Sequence, residues 1–183
     1  MLGESVCSNN GNLRTLAPIE NDTPDHQLDF PLSLIVNAIP REAEARVVNR
    51  NYTSKEEQVE YGDYLSKMAG CTWCHTPVNA TQGIIPEQLL AGGHEFVMPD
   101  GRIVRATNIS SDPTTGIGNW TEEQFIERFR VYQGEAGQTI PVGEGGNNTL
   151  MSWTLFADMT DEDLAAIYAY LMASEARVNE VVV

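Results

Sequence analysis

Basic residues are scarce in this chain: 11 Lys+Arg stand against 26 Asp+Glu in 183 residues, a formal net charge of −15. That balance excludes nucleic acid as a partner and argues against an anionic membrane surface, because both carry the chain's own sign. It fits docking to a basic face on another protein, and equally a solvated acidic surface with no such meaning. Long apolar runs are missing as well. The run Phe30-Pro31-Leu32-Ser33-Leu34-Ile35-Val36 is too short to span a bilayer. Met1 to Leu13 holds neither the charged start nor the apolar core of a secretory signal. Cysteine is the third scarcity, with Cys7, Cys71 and Cys74 alone. A structural zinc site needs four ligands, usually with a second paired motif, and Cys7, His26 and His94 form no pair.

What the chain does have is Cys71-Thr72-Trp73-Cys74-His75. Two cysteines three apart with histidine directly after the second are the pattern of c-type haem attachment, each thiol adding to a vinyl group. The histidine then becomes an axial ligand of the iron. A redox Cys-x-x-Cys would lie beside a strand–helix–strand pattern, whereas the residues before Cys71 read as helix. Because such haem is attached outside the cytoplasm, the sequence reads as a mature or partial form of an exported protein. The motif occurs once, so one haem c is expected.

Periodicity divides the chain in two. Residues 1–53 are punctuated by Asn, Asp, Pro and Thr and read as an irregular N-terminal arm. Its apolar run would pack on the domain's own back or lie in a groove of a partner subunit. Residues 54–183 read as the haem domain. Ser54-Lys55-Glu56-Glu57 is a capping box, and Tyr61, Tyr64, Leu65 and Met68 form one helical stripe ending at Gly70. Gly62 on that helix leaves room for another to cross closely. Residues 76–119 read mostly as loop. Thr121 caps a helix carrying Phe125, Ile126, Phe129 and Tyr132, and a glycine-rich loop runs from Gly134 to Asn148. Thr160 opens the last helix, with acids in its first turn and a stripe of Leu164, Ile167, Tyr168, Leu171 and Met172.

This plan is that of class I cytochromes c, and the likeness extends to particular segments. Tyr61-Gly62-Asp63-Tyr64-Leu65 leading through Ala69-Gly70-Cys71 to His75-Thr76-Pro77 resembles the haem domains of periplasmic dehydrogenase cytochrome c subunits. So do Thr107-Asn108-Ile109-Ser110-Ser111-Asp112-Pro113 with Gly116-Ile117-Gly118 and Trp120, and Met159-Thr160-Asp161-Glu162-Asp163-Leu164. The resemblance covers residues 54–174. It implies an all-α class I cytochrome c fold, with first and last helices crossing at Gly62 around one covalent haem. It also implies His/Met ligation, one-electron transfer and a place outside the cytoplasm.

A thioether opposite histidine is the usual arrangement in electron carriers. Of the six methionines, Met151 stands where the resembled group often reads Met-Pro-Tyr, here Met151-Ser152-Trp153. Met159 sits as a staple residue before the Thr160 cap, and Met98 matches no ligand position of the group. His94 is the rival sixth ligand. Trp120 and Arg105 are candidates for holding a haem propionate through indole N–H and guanidinium, the alternatives being core packing and a surface charge. A backbone carbonyl in the loop after Pro77 is expected to hold the second nitrogen of His75.

The expected function is electron transfer through His75 and Met151 on a haem joined to Cys71 and Cys74. The chain would be no enzyme itself. Redox proteins are its expected partners, with the arm fixing it in a membrane-associated respiratory or dehydrogenase complex, periplasmic or on an outer membrane face. Two alternatives stand beside it: a haem enzyme or gas sensor with an open sixth position, and a structural subunit whose arm staples an assembly.

Overall fold

The computed structural model describes Ala17, Phe30 and residues 48–79, 83–98, 100–140 and 150–182. Cys7, His26 and the expected arm lie outside these, apart from Ala17, Phe30 and 48–53. The rest belong to a compact unit running from Arg46 to Val183. Helix α1 spans Lys55–Met68, α2 Cys71–Cys74, α3 Glu122–Arg130, α4 Gly134–Gln138, α5 Trp153–Phe156 and α6 Asp161–Ala173. Between α2 and α3 lie the short strands β1 (Val78–Asn79), β2 (Gly83–Ile84), β3 (Glu95–Val97) and β4 (Ile103–Arg105), with a 3-10 turn at Pro86–Gln88.

The helices begin where their side chains can satisfy orphan backbone donors. Ser54 Oγ accepts from Glu57 N–H at 3.2 Å, while the Glu57 carboxylate takes the Thr53 N–H at 2.7 Å, one residue further back than a capping box would place it. Thr121 and Gln124 form the full reciprocal box on α3. Thr160 Oγ accepts from Asp163 N–H at 3.2 Å, and three acids follow in the first turn of α6. Arg130, near the end of α3, reaches the Met159 carbonyl at 2.7 Å and also bonds Ala157 O and Asp161, tying α3 to the start of α6.

The closest-packed pair of helices is α1 and α6. Gly62 sits under α6, where a Cβ would collide with the Ala166 carbonyl oxygen and stand 2.9 Å from Tyr170 Cβ. The predicted stripe of α6 proves to be only one of its faces. Leu164, Ile167 and Leu171 enter the core with Leu90, Ile117, Phe125 and Phe129. Ala165, Ala166 and Ala169 are buried as well, so the helix is covered on more than one side, and Tyr168 and Met172 are only partly buried. On α1, Tyr61 is buried with its hydroxyl donating to Asp163 at 2.8 Å, but Met68 at the end of the predicted stripe is 71% exposed.

The expectation of an all-α fold needs amendment, because the chain is helical with a few small strands. Two antiparallel hairpins, β1–β2 and β3–β4, occupy part of the stretch read as loop. In the second, Phe96 opposes Val104 and Val97 opposes Ile103, β-branched and aromatic residues pairing across the ladder. Residues 108–118 are a turn held by its own side chains. Asp112 Oδ1 accepts from Thr115 N–H at 2.6 Å, Thr114 N–H at 3.1 Å and both threonine hydroxyls at 2.8 Å. The segment after α6 is strapped to this turn. Asn108 Nδ2 donates to Arg177 O at 2.6 Å, Ser111 Oγ to Ser174 O at 2.6 Å, and Asn179 N–H to Thr115 Oγ1 at 3.0 Å.

Among the described residues no helix is long and apolar enough to cross a membrane.

Candidate functional site

Gly70 adopts φ +78°, a left-handed conformation that suits glycine, and turns the chain out of α1 into α2. Within that single turn Cys71 and Cys74 lie at i and i+3, on one face, and His75 follows with its N–H on the Cys71 carbonyl at 2.9 Å. Neither thiol is in a disulfide. Burial pushes the Cys71 thiol up to about 11 and raises that of Cys74 as well. Burial also lowers the His75 pKa, keeping the imidazole neutral. Its Nδ1 lies 2.7 Å from the Thr107 carbonyl oxygen. With Nδ1–H donating there, Nε2 retains its lone pair, the tautomer a metal ligand requires. The carbonyl expected after Pro77 is thus that of Thr107, beyond both hairpins. The same stretch is fastened a second time: Gly92 N–H meets His75 O at 2.7 Å, and Leu90 N–H meets the buried Thr76 hydroxyl at 3.0 Å.

These groups open onto a cavity of about 680 Å³, in the usual range of roughly 300–1,000 Å³ for a small-molecule site. Cys71, Cys74, His75, Arg105, Trp120 and Met151, scattered over 80 positions, all line it. Phe96, Ile117, Phe125, Phe129, Phe156, Ile167 and Leu171 supply apolar wall. On a chain of net charge −15 the described residues of that wall include no Asp or Glu, and two arginines, Arg105 and Arg128.

Met151 shares the cavity with Met159, which the sequence reading set aside as a staple residue. Met98 and His94 are not among the lining residues. His94 is buried elsewhere, stacked on Phe96 with ring centroids 4.6 Å apart and its Nδ1 3.1 Å from the Trp73 carbonyl. Arg105 lines the cavity with its guanidinium on Glu95, at 2.9 and 2.7 Å. Trp120 is partly exposed, and its carbonyl accepts from Tyr168 OH at 2.7 Å. Sequence reasoning missed Thr107, Arg128, Tyr132 and Trp153. The helical spacing of Arg128 and Tyr132 was visible, but nothing local joins them to Trp153.

Among the described residues no group of three His, Cys, Asp or Glu side chains could hold a bare metal ion. The cavity instead suits a large apolar disc bearing anionic groups: a wide hydrophobic wall, two thiols one turn apart, a neutral imidazole and two arginines. Haem c would fit each of these features, and Cys71, Cys74 and His75 are the residues that would hold it.

The chain is similar to the cytochrome c subunits of dehydrogenases. It is 33% identical over 117 residues to the cytochrome c subunit of alcohol dehydrogenase (quinone) from Gluconobacter oxydans (strain 621H), a match covering 64% of this chain and 21% of that one. It is 36% identical over 114 residues to the corresponding subunit of Gluconacetobacter polyoxogenes, covering 62% and 21%. The fructose dehydrogenase cytochrome subunit of Gluconobacter japonicus is 36% identical over 115 residues, again covering 62% and 21%. The chain thus matches about a fifth of the length of these curated relatives. No protein-family model matches it.

Proposed function

We propose that this chain is a one-electron carrier built on a class I cytochrome c fold. In this reading one haem c is covalently joined to Cys71 and Cys74, with His75 and Met151 as axial ligands. Bound there, the haem would supply a reversible ferric–ferrous couple, and thioether ligation by Met151 would favour the ferrous side. The protein's part is to fix the His75 tautomer through Thr107 O, to keep the imidazole neutral by burial, and to keep water from the face walled by Phe125, Phe129 and Ile167. The observation that carries this is the convergence of Cys71, Cys74, His75 and Met151 on one cavity whose described lining includes no acid.

We place the chain outside the cytoplasm, as a subunit of a membrane-associated dehydrogenase or respiratory complex or as its electron donor or acceptor. The names of its relatives support that setting. Residues 1–53 would make the contact with the complex, and another redox protein with a basic face would dock on the acidic surface. The chain itself breaks no substrate bond.

The optical spectrum of the purified holoprotein tests the ligand set. Ferric protein is expected to be low-spin and to show the weak red band of sulfur–iron charge transfer. Met151→Ala should abolish that band and give a high-spin form, whereas Met159→Ala should leave it in place. The reverse result would transfer the sixth position to Met159. A high-spin spectrum in the unaltered protein would favour an enzyme or sensor with an open site.

A further inference from the structure

Six arginines lie among the described residues, and five are paired with a carboxylate: Arg50 with Asp163, Arg102 with Asp100, Arg105 with Glu95, Arg130 with Asp161, and Arg177 with Glu175. Arg128 is the exception. Its guanidinium carbon lies 4.6 Å from the ring centroid of Trp153 and 5.4 Å from that of Tyr132, and these two rings are stacked 5.0 Å apart. All three line the cavity. Stacking on aromatic faces holds a guanidinium in place while leaving its in-plane N–H donors open to an anion. Among the described residues Arg128 alone of the arginines has no carboxylate, and it stands at a wall where they place no acid, which calls for a ligand that brings its own.

The geometry points to Arg128 as the residue that binds a carboxylate of the cavity's ligand, a haem propionate, from a perch on Trp153 and Tyr132. Arg105, singled out from sequence for that role, already has Glu95 as its partner. The assignment rests on the haem reading of the cavity. Among the described residues the other titratable or charged groups of the wall are Cys71, Cys74, His75, Arg105 and Tyr132, none of them an acid that would compete for Arg128.

The test is a redox titration of holoprotein from pH 5 to 9, comparing the wild type with Arg128→Gln, Arg128→Met, Arg128→Lys and Arg105→Gln. Gln and Met keep the aliphatic stem over the rings and remove the charge. A cation beside the haem favours the ferrous form. Its loss should therefore lower the ferrous-to-ferric ratio at fixed applied potential by about tenfold, the equivalent of one pK unit of interaction. The orphaned carboxylate should also take up a proton as pH falls, giving the Gln and Met variants a potential that climbs towards acid more steeply than wild type. Arg128→Lys should restore both properties, and Arg105→Gln should change them less. Should the Gln and Met variants keep the wild-type potential and pH profile and lose only thermal stability, Arg128 is a packing residue and the assignment fails while the haem reading stands. If the wild type carries no covalent haem after denaturing extraction, both fail together.

Discussion

Gly62 is the residue on which the α1–α6 crossing turns. Its missing side chain lets the Ala166 carbonyl approach the α1 backbone, and there is no flexible neighbour to yield, since Ala166 offers backbone and Tyr170 its Cβ. Gly62→Ala must therefore push the helices apart. The cost of overpacking a close interface is about 1–3 kcal/mol, partly countered by the better helix propensity of alanine. Ile167 and Leu171 on α6 also form cavity wall, so the displacement would reach the ligand site. Denaturant unfolding of the holoprotein should give a lower midpoint with an unchanged slope. A midpoint equal to that of the wild type would mean that the approach of the two backbones is not as close as Gly62 makes it.

Among the elements, the 108–118 turn has its own acid sensitivity. Hydrogen bonds from Thr115 and Thr114 hold the Asp112 carboxylate down to about 2, below an unfolded value near ~3.9. A depressed carboxylate stabilises the fold fully above its unfolded pKa, and that stabilisation is lost as pH falls through the folded value. Stability should thus fall between about pH 4 and 2, with the strap over 174–179 loosening along with the turn. Asp112→Asn keeps the Oδ1 acceptor and removes the charge, so its unfolding free energy should vary less over that window. Identical acid limbs for the two proteins would assign the acid sensitivity to other carboxylates. The starts of α1, α3 and α6 were legible in the chain because Ser54, Thr121 and Thr160 act within three residues of themselves. The hairpins were not, since strands of two or three residues are too short to show an alternating period. The turn was recognised as a segment but not as a structure, because Asn108 and Ser110 find their partners near residue 177, where no local pattern points. At the site, Cys71, Cys74 and His75 stood out by their spacing alone. The pairing of Arg105 with Glu95 and the stacking of Arg128 on Trp153 depend on which strands and helices meet, so neither could be read from the chain.

For the whole molecule, the distribution of charge matters more than its total. The chain has 26 acids against 11 bases, while the described residues of the cavity wall include arginine and no acid. A small redox reagent approaching from solution meets the first field at long range and the second only at the mouth. The long-range field reaches about 30 Å at 0.01 M salt and about 3 Å at 1 M. At low salt a cationic cobalt complex should therefore oxidise the ferrous protein faster than its driving force alone allows, and ferricyanide more slowly. Raising the salt from ~0.01 to ~1 M should lower the cationic rate and raise the anionic one, each by about tenfold or more. At the high-salt end the whole-molecule field is gone, and what difference remains between the reagents reports the mouth. There Arg128→Gln should slow ferricyanide relative to the cobalt complex, once both rates are corrected for the change in potential. If the two salt slopes have the same sign, or both are flat, the acidic surface does not steer reagents to the cavity mouth, and docking of a basic partner on that surface loses its physical ground.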